Sequence, residues 1–207
     1  MIMLKDNTRP TIYFHIGMPK TGTSAIQAFF NHNRKLLFEK YKFLYPNFNA
    51  KDYVSGNQMN HGSFFHSARK KNQEEESIKE FKKCYDYCSK KNVTKILISN
   101  EGFFWRWWPK VISEIVKVTQ ADYKLILYLR RQDKYVQSAW KQWGHKLDNY
   151  ESIYDYEKKN SFNWYNSLKP WLEYFSTEKF ILKPFERSFI GEDIIMDFTA
   201  SIDITEF

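Results

Sequence analysis

Between Thr11 and Gln27 the chain reads TIYFHIGMPKTGTSAIQ, a stretch suited to holding an anion. An apolar, β-rich run stops at Gly17. A loop of small residues follows, with one cation at Lys20, a second glycine at Gly22, and hydroxyls at Thr21, Thr23 and Ser24. An amphipathic pattern then begins, so the stretch predicts a strand, a phosphate loop and a helix. Bare N–H groups at a helix start, backed by the positive end of the helix dipole, attract anions. Gly17 and Gly22 let the backbone curl and approach a ligand closely. Lys20 adds a mobile charge, and the hydroxyls add donors.

The position of the lysine sets the type of loop. A nucleoside-triphosphatase loop reads G-x-x-x-x-G-K-[ST]. Gly17 and Gly22 keep the glycine spacing, but Thr23 follows the second glycine and the lysine stands at Lys20. The string PKTGTS, directly after a strand, instead resembles the 5′-phosphosulfate loop of sulfotransferases. Those enzymes draw a sulfuryl group from 3′-phosphoadenosine 5′-phosphosulfate (PAPS). A second string, YKLILYLRRQDKYVQSAW from Tyr123 to Trp140, resembles the family's strand with an arginine at its end and a serine eight residues on. In the family that pair clasps the 3′-phosphate, which assigns the role to Arg130 and Ser138. A guanidinium fork suits phosphate on general grounds. A third string, Phe162 to Arg187, resembles a helix-then-strand with a Trp-Tyr pair at its start and the aromatic-acidic pair Phe185-Glu186 at its end. The resemblance puts Tyr165 beside the adenine. A fourth, ILISNEGFF from Ile96 to Phe104, is similar to the Ser-x-Glu strand end of bacterial and carbohydrate-directed members. The four strings occur in the family's order along most of the chain.

What the resemblance implies is specific. The donor would be PAPS, leaving as adenosine 3′,5′-bisphosphate (PAP), with Lys20, Thr21, Gly22, Thr23 and Ser24 on its 5′ end and Arg130, Ser138 and Tyr165 on the rest. Lys20 would stabilise, and could protonate, the leaving phosphate oxygen, or serve only as a phosphate ligand. No metal is expected, because the sulfuryl group carries less negative charge than a phosphoryl group. Histidine-type sulfotransferases supply their base from a polar loop like Asn57–Ser63, which nominates His61. Glycan-directed members use glutamate, which nominates Glu101. Both stay open at this point, with a carbohydrate hydroxyl as the expected acceptor. Two other readings stand beside this one: a phosphate-loop kinase or nucleotidase, and an inactive nucleotide-binding relative.

The remaining features are less specific. The chain carries a net charge of +8 on 207 residues. Its lysines are spread out and interleaved with acids, as on a solvated helix face. The excess charge is therefore assigned to a polyanionic donor and an acidic glycan, not to nucleic acid. No apolar run suits a membrane span or a secretory signal, so a cytoplasmic location is expected. Cys84 and Cys88, the only cysteines, are read as reduced thiols without a metal role. Phe103 to Pro109, FFWRWWP, is read either as an acceptor cleft or as core and lid. Trp140 and Trp143 are read as helix-to-core packing.

Elements must hold these groups together. Strands are predicted at Ile12–Ile16, Lys42–Tyr45, Thr94–Ser99, Lys124–Leu129 and Phe180–Pro184. Helices are predicted at Ser24–Tyr41, Phe64–Arg69, Glu74–Lys90, Pro109–Val118, Lys134–Lys146, Asn163–Phe175 and Asp193–Ala200. Asn47–Gly62 and Tyr150–Asn160 read as loops, the latter as a substrate loop. Strands alternating with helices give a single α/β domain over residues 1–207. The expected fold is three-layered and of the phosphate-loop type, with a central parallel sheet flanked by helices. Ligands in such sheets bind beyond the carboxyl ends of the strands. Gly17–Thr23, Glu101 and Arg130 all follow strand ends, so they should meet at one edge.

Overall fold

Five apolar runs pair into one all-parallel sheet in a computed structural model that describes residues 9–68, 74–104, 108–146, 149–160 and 162–204. The central strand is β1 (Thr11–Ile16). β3 (Lys95–Asn100) and β4 (Tyr123–Leu129) flank it, β2 (Phe43–Leu44) lies outside β3, and β5 (Phe180–Pro184) lies outside β4. Ile16 pairs with Asn100, so β1 and β3 end level with each other. The inner strands β1, β3 and β4 are covered on both faces, which is why their apolar residues run nearly continuously rather than alternating.

Two cores result. Tyr13, Leu97 and Ile126 face one side, covered by α1 (Thr23–His32), α2 (Arg34–Tyr41) and, late in the chain, α9 (Ile194–Ala200) through Ile26, Phe30, Leu37 and Phe198. Ile12, Phe14, Ile16 and Ile98 face the other. It is covered by α3 (Gly62–Ala68), α4 (Glu74–Lys90), α5 (Trp108–Thr119), α6 (Gln132–Gln142), α7 (Ile153–Lys159) and α8 (Trp164–Leu172). The expected three-layer α/β arrangement is the one that forms. The chain runs from β1 out to the edge strand β2, returns to β3 beside β1, then crosses to β4 and β5 on the other side. Beyond the end of β1 the order reverses, and that is where such sheets open a crevice.

Two elements depart from expectation. The helix expected over Ser24–Tyr41 breaks at Asn33, which ends α1 and begins α2. The Asn33 side chain donates to Phe29 O at 2.9 Å, competing with the helical ladder. The break lets Arg34 turn inward, where its guanidinium donates to Tyr45 O, Gly56 O, Gln58 O and Asn31 Oδ1. The loop expected at Tyr150–Asn160 contains α7. Ser152 caps it by accepting from Asp155 N at 3.2 Å, and Tyr156 packs into the core. Arg69 lies outside the described residues. Among the described residues no helix is long and apolar enough to cross a membrane.

Candidate active site

The β1–α1 turn has the shape its residues predict. Gly22 adopts φ 76°, in the left-handed region, and forms the N-cap of α1 with no side-chain hydrogen bond to the helix start. Ala25 and Ile26 N both donate back to Gly22 O. The first amides of a ten-residue helix are thus left without a side-chain cap beside a lysine. Lys20 is also left-handed, at φ 67°. A non-glycine residue there costs roughly 1 kcal/mol or more.

Gly17 is needed for closeness. A Cβ there would stand 2.8 Å from both Glu101 Cα and Thr23 Cγ2. Gly17 N donates to Asn100 O at 3.2 Å. The loop is therefore latched to the end of β3, and Glu101 begins the next turn directly against it.

The threonines do a different job from the one expected. Thr21 and Thr23 are buried, and both hydroxyls donate to Met18 O, at 2.7 and 3.3 Å. Each hydroxyl has one proton to give, so these side chains brace the loop from inside. Their backbone amides remain as the groups that can meet a phosphate. Ser24 is exposed at the helix start.

Arg130 follows β4 and reaches the loop directly: its Nη1 donates to Lys20 O at 2.8 Å. Trp164 Nε1 donates to Arg130 O at 2.9 Å and fixes that backbone from the other side. Arg130 also lies over the Phe185 ring, 5.6 Å from its centroid. Together with Lys134, Phe185, Glu186, Arg187 and Ile194 it lines a cavity of about 340 Å³. Phe185 and Ile194 stand within 3.5 Å of where a Gly22 Cβ would be, so the cavity adjoins the loop.

The face of α6 connects the two ends of the site. Lys134, Ser138 and Gln142 recur every four residues and share one side of that helix. Lys134 lines the cavity, and Gln142 Oε1 accepts from Lys20 Nζ. Half-buried Ser138 falls between them.

The two candidate bases separate clearly. His61 is fully buried. Its Nδ1 accepts from Ser99 N at 2.9 Å and its Nε2 donates to Pro46 O at 2.9 Å, so both ring nitrogens are committed to backbone. Burial lowers its pKa to about 4. This corrects its nomination as base: no nitrogen is free for an acceptor hydroxyl. Glu101 is solvent-accessible at the sheet edge. Partial burial raises its carboxyl pKa above the ordinary range, and the charge of Lys20 opposes that rise. It therefore sits within electrostatic reach of Lys20.

The aromatic residues divide between surface and core. Tyr165 is 64% exposed, and its neighbour Trp164 is the one bonded to Arg130. The ring lining the cavity beside Arg130 is Phe185. In FFWRWWP, Phe103, Phe104 and Trp108 are buried core, while Trp105, Arg106 and Trp107 lie outside the described residues. Trp140 packs against Tyr156, with ring centroids 5.7 Å apart, but Trp143 is 37% exposed, so it is not the core residue expected. Its ring centroid lies 5.9 Å from Lys20 Nζ.

Cys84 and Cys88 are buried free thiols on α4. Among the described residues no group of three or more His, Cys, Asp or Glu could hold a metal ion. No protein-family model matches this chain, and no curated protein matches it.

Proposed function

We propose that this protein transfers a sulfuryl group from PAPS to a hydroxyl, with a carbohydrate as the acceptor. The observation that carries the reading is the 2.8 Å bond from Arg130 to Lys20 O. It sets the phosphate loop and a second cationic cavity side by side, as a nucleotide with phosphate at both its 5′ and 3′ positions requires. The loop amides and Lys20 take the 5′ end. Arg130, Lys134 and Ser138 take the 3′-phosphate, and Phe185 gives the base an apolar face. In this reading Arg130 exchanges its carbonyl partner for phosphate, a charge-assisted and stronger bond.

The chemistry follows from position. Glu101 accepts the proton of the acceptor hydroxyl, and a carboxylate of raised pKa is the better base. The acceptor oxygen forms a bond to sulfur as the sulfur–oxygen bond to the 5′-phosphate breaks, giving a sulfate ester and PAP. Lys20 stabilises the charge that collects on the departing phosphate oxygen. Catalysis of this kind rests on positioning and electrostatics.

Titration calorimetry with PAP tests the reading. Wild type should bind, and a Lys20→Ala, Arg130→Ala double variant should lose at least a hundredfold in affinity. Absence of binding to wild type, or full binding by the double variant, rejects it.

A further inference from the structure

The geometry points to the exposed indole face of Trp143 as the platform on which an acceptor sugar ring stacks. The inference rests on the sulfuryl-transfer reading and extends it to the acceptor side.

Trp143 ends α6 and is held rigidly there. Its N–H donates to Ala139 O at 2.8 Å, and Lys146 N donates to its carbonyl at 3.0 Å. The next residue must be glycine: a Cβ on Gly144 would stand 2.2 Å from Trp140 Cε3. Trp140 fills that inner side and packs on Tyr156. The two tryptophans therefore diverge, one into the core and one outward. Among the described residues Trp143 is the exposed tryptophan. It also lies beside the loop lysine, with Lys20 Nζ 5.9 Å from its ring centroid.

The surroundings select the class of ligand. A pyranose presents a flat C–H face and a rim of hydroxyls. Here the exposed indole is bordered by the Lys20 ammonium, itself held by the Gln142 amide, and both groups are suited to hydroxyls. A phenol would be better served by an enclosed apolar slot. Trp143 offers a single wall, with solvent beside it. A sugar stacked there would bring a ring hydroxyl toward Lys20, the lysine of the loop against which Glu101 begins its turn.

Saturation-transfer NMR tests this with a panel of methyl pyranosides and p-nitrophenol, on protein loaded with PAP. Wild type, Trp143→Ala and Trp143→Phe are compared. At least one pyranoside should show transfer to its ring C–H protons. Its affinity should fall about tenfold in Trp143→Ala and largely return in Trp143→Phe. PAP affinity, measured in parallel, should stay within twofold and shows that each variant is folded. The inference is overturned if Trp143→Ala binds sugar as wild type does, if no pyranoside binds, or if p-nitrophenol alone binds. Failure of wild type to bind PAP would instead reject the transfer reading itself, and this inference with it.

Discussion

Two polar regions meet at the end of β3, and they are built on opposite plans. Beneath it, His15, Ser99, Gln27 and His61 are buried. Ser99 Oγ lies 2.8 Å from His15 Nδ1 and accepts from Gln27 Nε2 at 3.1 Å, while Ser99 N is taken by His61. Above it, the loop amides, Lys20, Glu101 and Arg130 are partly open and hold hydrogen-bonding capacity in reserve. Residue type does not separate the two regions, since a histidine is as chemically capable as a glutamate. Access does: even His15 Nε2, which has no hydrogen-bond partner, is sealed inside the fold. A polar group shut in the core can only serve the fold, and one that solvent reaches can act on a ligand.

The sharpest test of that contrast pairs Glu101→Gln with His61→Ala. We expect Glu101→Gln to lower sulfuryl transfer by about 10²–10³-fold while PAP affinity holds, as loss of a proton acceptor should. His61→Ala should cost roughly 3–5 kcal/mol of stability, from a cavity and two unpaired backbone groups. Transfer per folded molecule should survive it. Rates and urea melts on both variants decide the matter, and the reverse pattern would return the base to His61.

A second, smaller effect concerns acid. Burial holds His15 at about 3 and His61 at about 4. In the unfolded chain both would take up protons near pH 6.5. Their contribution is therefore complete above about pH 6.5 and drains away as pH falls toward 4 and then 3. The full loss is on the order of 3 kcal/mol for His61 and about 5 kcal/mol for His15. Urea melts between pH 7 and 4 should record a steady decline, and a flat profile would contradict the closed plan. Transfer should decline on the same side for a separate reason, because Glu101 must be ionised to act and its pKa is raised.

The smallest expected effect lies inside the loop. Thr21→Val removes the bond to Met18 O and leaves that carbonyl with the longer bond from Thr23. A loss of about 1–2 kcal/mol is expected, with PAP affinity falling only as far as the loop loosens. A loss of affinity as large as that from removing Lys20 would mean that the hydroxyl meets phosphate directly.

Much of the fold was legible because its signals are local. The apolar run, the glycines and the amphipathic onset at residues 11–27 sit side by side, so strand, loop and helix could be read together. The convergence of Glu101 and Arg130 followed from strand ends in a parallel sheet. The role of His61 was not legible. Its partners, Pro46 and Ser99, lie 15 and 38 residues away, and only the folded chain brings them to it. The inward turn of Thr21 and Thr23 likewise depends on the loop closing on Met18. That Trp164 rather than Tyr165 bonds to Arg130 depends on which side of α8 faces the end of β4, and a pair motif does not reveal that. The helix α7 was missed, although Ser152 precedes Asp155 by three residues, the spacing of a helix start. The aromatic run around it obscured the signal.

Lys20 is left-handed, and that has a consequence for any effort to harden this protein. Glycine would fit the same backbone without steric strain, so a screen that rewards heat resistance alone should favour discarding a side chain the proposed chemistry depends on. At this residue durability and usefulness pull in opposite directions.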